Sequence, residues 1–195
     1  PPFSLFREYL AQLVKYDKKF LIIGNVNAIS YKESFLLIKE NKMWLGASIH
    51  SGDREFRVPD SYPLTAAGHR IDENGVKYIR VKGVRWFTNM DYPQRHEDLI
   101  LYKRYTIEEY PLYDNYDAIN VNYTNDIPCD YEGIMGVPIT FLDKFSPEQF
   151  EILGMESSAG YDPVIVGIPR LKEGDARPAI NGKTTYARIF IRKKH

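Results

Sequence analysis

The sequence lacks most of the residues from which simple functional signatures are built. Its 195 residues include one cysteine, Cys129, which excludes an intrachain disulfide framework and favours a reducing compartment such as the cytoplasm. The histidines His50, His69, His96 and His195 stand apart from one another and from Cys129, so no metal site is predicted. Neither a phosphate-binding P-loop nor a Gly-x-Ser-x-Gly nucleophile elbow occurs.

Charge of one sign and long apolar runs are also missing. The 26 Lys and Arg residues balance the 26 Asp and Glu residues, so a surface that binds DNA would have to be local. No apolar run approaches the ~18 residues of a membrane span, and no signal peptide is visible. A hydrophobic content of 44% is ordinary for a globular protein, so the composition predicts a soluble intracellular one.

The chain opens on Pro1-Pro2-Phe3, directly before an amphipathic segment. Two prolines fix φ twice and remove two backbone donors, so the Pro1 carbonyl is presented rigidly beside the flat ring of Phe3. A rigid acceptor next to a stacking surface could hold the exocyclic amine of a planar ring. The alternative is a rigid turn before a helix. We expect Ser4 to cap this helix and the helix to run to about Asp17, because apolar residues that include Phe6 and Leu10 recur at helical spacing.

The next segments alternate between strand and helix patterns. The continuous apolar run Phe20–Gly24 predicts a strand buried on both faces, as in a parallel sheet. Asn25 and Asn27 follow at its C-terminal end, where α/β sheets have their ligand crevices. A helix from about residue 30 to 41 and a strand over Met43–Ile49 come next, which together predict half of a doubly wound sheet.

Residues 50–78 differ in kind, because they are polar and carry the arginines Arg54, Arg57 and Arg70. Asn74-Gly75 predicts a type I′ hairpin, and Val84–Asn89 predicts a further strand. A long insertion with arginines is either a DNA-facing element or a solvated loop, and the sequence leaves both open.

From residue 92 onwards the composition changes. Seven tyrosines between Tyr102 and Tyr131, interleaved with Asn and Asp, predict an extended path with packed rings and solvated hydroxyls; stacking on nucleic acid is the alternative. We expect a strand over Met135–Leu142 and a short helix that starts at Ser146-Pro147 and ends at Gly154. A mobile loop over residues 155–182 and a closing strand over Thr184–Arg192 complete the prediction.

Several segments resemble one family. Pro1-Pro2-Phe3 is similar to the end of the Asn/Asp-Pro-Pro-Phe/Tyr/Trp motif of amino-group DNA methyltransferases, although the leading Asn or Asp has no counterpart here. The continuations Ser4–Leu10, Lys18–Asn27 and Gly136–Leu142 resemble the EcoRI-type adenine-specific DNA methyltransferase family. The resemblance implies an α/β fold, with the C-terminal half of a Rossmann-like sheet in residues 1–91 and an irregular α+β target-recognition region in residues 92–195. It also implies that the last two strands of that sheet, Met43–Ile49 and Val84–Asn89, form an antiparallel pair.

The resemblance also implies a function. The expected activity is that of a restriction-modification enzyme that transfers a methyl group from S-adenosylmethionine to N6 of a flipped adenine in double-stranded DNA. Pro1, Pro2 and Phe3 would be catalytic. The predicted DNA contacts are Arg54, Arg57, Arg70, Asn25 and Asn27.

The glycine-rich cofactor motif of such enzymes is absent from this chain. We therefore expect the chain to require an N-terminal cofactor-binding half and to be inactive without it. We also expect its first strand to expose an unpaired edge, which either that N-terminal half or a second copy of this chain would cover. A non-catalytic DNA-binding module and an α/β interaction domain remain as alternative functions.

Overall fold

The computed structural model describes residues 3–47, 53–65, 68–156, 162–174 and 176–194. The α-helices are α1 (Phe6–Lys15), α2 (Lys32–Lys39) and α3 (Pro163–Val166). The strands are β1 (Leu21–Asn25), β2 (Trp44–Leu45), β3 (Arg54–Arg57), β4 (His69–Ile71), β5 (Lys77–Val81), β6 (Val84–Thr88), β7 (Ile119–Asn120), β8 (Met135–Pro138), β9 (Phe150–Glu156), β10 (Ala179–Ile180), β11 (Lys183–Thr184) and β12 (Arg188–Lys193). Short 3-10 helices cover Phe3–Leu5, Val26–Ser30, Pro93–His96, Thr124–Asp126 and Ile139–Lys144.

The first sheet has the strand order β1-β6-β2, and both outer strands run antiparallel to β6. The predicted antiparallel pairing of Met43–Ile49 with Val84–Asn89 is therefore confirmed by β2 and β6, although β2 covers only Trp44–Leu45. The prediction of a strand buried on both faces is wrong, because Leu21 is half exposed while Ile22 and Gly24 are buried. Within the described residues, β1 pairs only with β6, and its other edge has no partner strand.

Helix α1 lies on this sheet through its apolar side. Phe6 and Leu10, one helical turn apart, are buried, and the Phe6 ring meets the Phe87 ring edge-on at 5.0 Å between centroids. The helix starts at Phe6, after the 3-10 turn, and no side chain caps it, so the predicted Ser4 cap is wrong. Burial of Phe6 rather than a cap sets where α1 begins.

Strands β3, β5 and β4 form a separate antiparallel sheet in that order, and we call this sheet the arm. The predicted hairpin joins β4 to β5, but its turn is not type I′. That turn needs a positive φ at both central residues, whereas only Gly75 has one. The Asp72 carboxylate instead accepts hydrogen bonds from the Asn74 and Val76 amides, which closes a longer loop.

The second large sheet has the order β7-β8-β12-β9, and it corrects the prediction of a helix ending at Gly154. Residues 150–156 form β9, which pairs along its length with β12. Phe150 and Ile152 are buried and Glu151 is exposed, which is the two-residue period of a strand. The long-range ladder outweighs the local cap-like signal at Ser146-Pro147.

The segments between these sheets are only partly as expected. Residues 102–131 are largely irregular as predicted, but the hydroxyls of Tyr110, Tyr113 and Tyr116 are bonded internally, to Asp126 O, Asn120 Oδ1 and Ala176 O. The expected loop over residues 155–182 contains α3 and β10 in its described part. The closing strand is confirmed as β12, and the strand expected over Met135–Leu142 ends at Pro138.

One hydrophobic cluster includes residues from both expected regions, for example Phe6 and Phe87 from the first and Phe141, Phe150 and Ile191 from the second. The boundary at residues 91 and 92 stays a prediction. None of the helices in the described part of the chain has the length and apolar character needed to cross a bilayer.

Candidate nucleic-acid interface

The expected catalytic residues are at the start of the chain. Pro1 and Pro2 lie outside the described residues, whereas Phe3 is half-buried in the 3-10 turn before α1. Three residues after Phe3, the ring of Phe6 lies against Gly24 of β1; an added Cβ at Gly24 would be 2.5 Å from Phe6 Cε2. The absence of a side chain at residue 24 therefore lets the start of α1 sit close to the C-terminal end of β1.

Asn25 and Asn27 follow at that strand end, as predicted, but only the side chain of Asn25 makes hydrogen bonds among the described residues. Asn25 Oδ1 accepts a hydrogen bond from the Asn27 amide at 2.9 Å, and Asn25 Nδ2 donates to the Lys82 carbonyl at 3.2 Å. Asn25 therefore caps the 3-10 helix Val26–Ser30 and anchors the link between β5 and β6. The side chain of Asn27 is exposed.

This anchoring joins the arm to the strand end beside α1. Besides the Asn25 bond, the Val26 amide donates to the Gly83 carbonyl at 2.6 Å, and Gly83 adopts a positive φ of 68° that favours glycine. The arm thus leaves the sheet next to Asn25, one residue from the Gly24 contact with Phe6.

The arm arranges its arginines on two faces. Arg57 of β3 and Arg70 of β4 both pair with Tyr78 of β5, so these three side chains share one face. Glu55 and Arg80 pair with each other and lie on the same face, because each is two residues from a member of that group. We call Glu55, Arg57, Arg70, Tyr78 and Arg80 the arginine face.

Arg54 lies on the opposite face, with Phe56 and the buried Ile79. The structure therefore brings two of the three predicted arginines together and separates the third. Arg80 and Tyr78 were missed by the sequence reasoning. The alternation in Lys77-Tyr78-Ile79-Arg80-Val81 was the signal that could have found them.

Two arginines of this face, Arg70 and Arg80, form ion pairs with carboxylates. Arg70 donates from Nε and Nη2 to Glu55 at 3.3 and 2.9 Å, and its guanidinium lies 4.4 Å from the centroid of the Tyr78 ring. This hydrogen bonding raises the pKa of Arg70 and lowers the pKa of Glu55. Arg80 donates from Nε and Nη2 to Asp53 Oδ2 at 3.1 and 2.7 Å.

A cleft of about 610 Å³ lies elsewhere, beside β2 and between residues 92–99 and 140–145. Arg95 lines it, nearly buried, with its guanidinium 3.7 Å from the centroid of the Trp44 ring and with hydrogen bonds to Asp91 and Asn41. None of the predicted site residues lines this cleft, so its volume does not identify the site predicted from the sequence.

The described residues do not fit an S-adenosylmethionine site. Such a site needs a strand followed by a glycine-rich turn and a helix. Gly136 is inside β8, where an added Cβ would collide with the ring of Tyr113, and Gly154 is inside β9, where it would collide with the Val166 carbonyl. Both glycines allow close packing.

In the described residues no group of three His, Cys, Asp or Glu side chains is placed to hold a metal ion.

Comparisons with known proteins define the class of protein. The family model for the adenine-specific methyltransferase EcoRI matches residues 1–194, so this chain belongs to that family.

Among curated proteins, the chain is 55% identical to the type II methyltransferase M.EcoRI of Escherichia coli over 196 residues, covering all of this chain and 56% of that protein. It is 36% identical to a type II methyltransferase of Mycoplasma genitalium and 35% identical to M.MpnI of Mycoplasma pneumoniae, covering all of this chain and 63% and 62% of those proteins. The chain thus spans a little over half the length of these relatives. No solved structure matches it.

Proposed function

We propose that the complete protein containing this chain is a type II adenine-N6 DNA methyltransferase of a restriction-modification system. The observation that carries the proposal is membership of the adenine-specific methyltransferase family across residues 1–194. The geometry supports it, because Phe6, three residues after Phe3, and the root of the arm contact the adjacent β1 residues Gly24 and Asn25. The start of α1 and the arginine-bearing arm therefore meet at the same strand end.

In this proposal the first three residues hold the adenine. Its amino nitrogen is a poor nucleophile, because the lone pair is delocalised into the ring. An acceptor that takes a hydrogen bond from the amino group favours a pyramidal, more reactive nitrogen, and the Pro1 carbonyl would be one such acceptor. Pro2 would fix that carbonyl, and Phe3 would stack on the extrahelical base, whose extrusion costs a few kcal/mol.

The rest of the Rossmann-like catalytic sheet belongs to the same proposal. The open edge of β1 in the described residues supports a sheet that continues beyond this chain. We place the site for S-adenosylmethionine, which carries an activated methyl group, in that further part, because the described residues do not fit it. The reaction would take place in the cytoplasm on double-stranded DNA.

The test is methyl transfer from tritiated S-adenosylmethionine to unmethylated duplex by the complete protein. Phe3→Ala should lower kcat/KM by about 10- to 100-fold, because stacking a base on an aromatic is worth about 1–3 kcal/mol. Phe3→Trp should retain most of the activity. Leu5→Ala is the matched control, because Leu5 is in the same 3-10 turn and its side chain is exposed.

The alternatives give different results in the same assay. A non-catalytic DNA-binding module would bind duplex with a steep salt dependence but transfer no methyl group. An interaction domain would show no duplex affinity at any salt concentration. Wild-type activity that is unchanged by Phe3→Ala would refute the role of Phe3 while leaving the methyltransferase assignment intact.

A further inference from the structure

On the arginine face, the hydrogen bonds of Arg70 and Arg80 to carboxylates leave the end-on edge of each guanidinium group available to bind a ligand. An arginine side chain has five N–H donors in a planar fork. Arg70 uses Nε and one Nη2 hydrogen on Glu55, and its plane is held against the Tyr78 ring. Both Nη1 hydrogens and the second Nη2 hydrogen are not used in these bonds. One of these Nη1 hydrogens and the second Nη2 hydrogen form the end-on edge of the fork.

Arg80 repeats this arrangement with a different carboxylate. Its Nε and Nη2 groups both donate to Asp53 Oδ2, and its side chain is about half exposed, as is that of Arg70. Two arginines on one sheet face are thus each held by the Nε side of the guanidinium. Holding a long side chain in one geometry removes part of the entropy that it would otherwise lose on binding.

We propose that Arg70 and Arg80 are specificity-determining residues that read guanines in the major groove, with Glu55 and Asp53 as positioning residues. This inference rests on the proposed function and extends it to the means of target selection. Guanine presents two acceptors, O6 and N7, to the major groove, and the end-on edge of a guanidinium matches both. A groove about 12 Å wide admits a two-stranded β-ribbon, and within the three-stranded arm the hairpin of β4 and β5, which carries Arg70 and Arg80, is such a ribbon.

Arg57 lies on the same face, but in this proposal it binds the DNA backbone and not a base. It makes no ion pair with any described residue and lies across Tyr78 from Arg70. Ion pairs with Glu55 and Asp53 offset the charges of Arg70 and Arg80, whereas no ion pair within the described residues offsets the charge of Arg57. Arg57 therefore contacts a phosphate, which adds affinity and salt dependence but no sequence preference.

The experiment is methylation of a randomised duplex library by the complete protein, followed by sequencing of the sites that carry N6-methyladenine. Arg70→Lys and Arg80→Lys keep the charge but lose the fork. Each should relax the preference for guanine at one position by at least about fivefold. Glu55→Gln, which leaves Arg70 intact, should weaken the same preference as Arg70→Lys without changing the salt dependence of duplex binding.

Two further variants serve as matched comparisons. Arg57→Ala should keep the sequence preference and lower the slope of log K against log salt by about one. Arg54→Ala, on the same strand but the opposite face, should change neither property.

The inference is overturned if the wild-type target contains no guanine, or if Arg70→Lys and Arg80→Lys select the same sites as the wild type. A variant that does not fold is recognised by its melting curve, and Glu55→Gln then decides the role of Arg70. A wild-type protein that leaves no methyl mark on any duplex contradicts the proposed function instead.

Discussion

At the scale of single residues, His96 is held by carboxylates from two distant parts of the chain. Its Nε2 lies 2.8 Å from Asp91 Oδ1, and its Nδ1 lies 2.8 Å from Glu148 Oε1. Arg95 also donates to Asp91, and the Ser146 hydroxyl bonds Glu148. The hydrogen bond to Asp91, followed by the one to Glu148, raises the pKa of His96 above its ordinary value of 6.5.

This arrangement predicts a pH-dependent stability. A raised folded pKa means that the stabilisation by His96 is fully present below about pH 6.5 and is lost as the pH rises through the folded pKa. The pKa values of Asp91 and Glu148 are lowered by His96, so their contributions are lost only below their ordinary values of 3.8 and 4.5. Stabilisation should therefore be greatest between about pH 4.5 and pH 6.5.

The measurement is the free energy of urea unfolding from pH 5 to pH 9, for the wild type and for His96→Gln. The difference between the two proteins should shrink as the pH rises. Glu148→Gln should move the NMR titration of His96 towards 6.5. A wild-type His96 that titrates at or below that value would contradict the ion-pair geometry.

At the scale of elements, the packing of α1 on β1 depends on Gly24. An added Cβ there would lie 2.5 Å from Phe6 Cε2 and 2.8 Å from Phe87 Cε2, which is closer than real contacts allow. We therefore expect Gly24→Ala to lower the free energy of unfolding by about 1–3 kcal/mol, the usual cost of overpacking a core. Because Phe3 is three residues before Phe6, methyl transfer should fall as well.

The double variant Gly24→Ala/Phe6→Leu provides the control, because the smaller side chain makes room for the new methyl group. It should recover part of the stability that the single variant loses. A Gly24→Ala variant as stable as the wild type would contradict this prediction, because it would mean that the contact between Phe6 and Gly24 does not fix the position of α1 on β1.

At the scale of the whole molecule, Arg85 of β6 and Asp143 of the 3-10 helix Ile139–Lys144 connect the two expected regions. Arg85 Nε lies 3.7 Å from Asp143 Oδ1, and the two side chains are only 9% and 12% exposed. Removing Asp143 takes a counter-charge away from the nearly buried Arg85 guanidinium, where water screens the charge little. We therefore expect Asp143→Ala to destabilise the protein by more than about 1 kcal/mol, the upper end for exposed ion pairs.

A surface ion pair provides the comparison. Arg192 Nη2 and Glu151 Oε2 are closer, at 2.8 Å, but their side chains are about half exposed. Glu151→Ala should therefore cost at most about 1 kcal/mol. Thermal and urea unfolding of both variants check the prediction. Equal losses for Asp143→Ala and Glu151→Ala would mean that burial does not decide the strength of these pairs.

Much of the fold was predictable where the signal was local. The apolar spacing of Phe6 and Leu10 predicted α1, and the hairpin around Asn74-Gly75 was found although its turn type was not. Family membership was also predictable, because it rests on the order of residues along the chain. The roles of Pro1, Pro2 and Phe3 and the domain boundary stay predictions.

Only the tertiary structure decided which side chains share a surface. Arg54, Arg57 and Arg70 look alike in the sequence, but strand pairing places Arg57 and Arg70 with Arg80 and turns Arg54 away. The same holds for β9, where pairing with β12 overrides a helix signal. Spacing along a chain encodes local periodicity, whereas register between distant strands depends on which faces can be buried together.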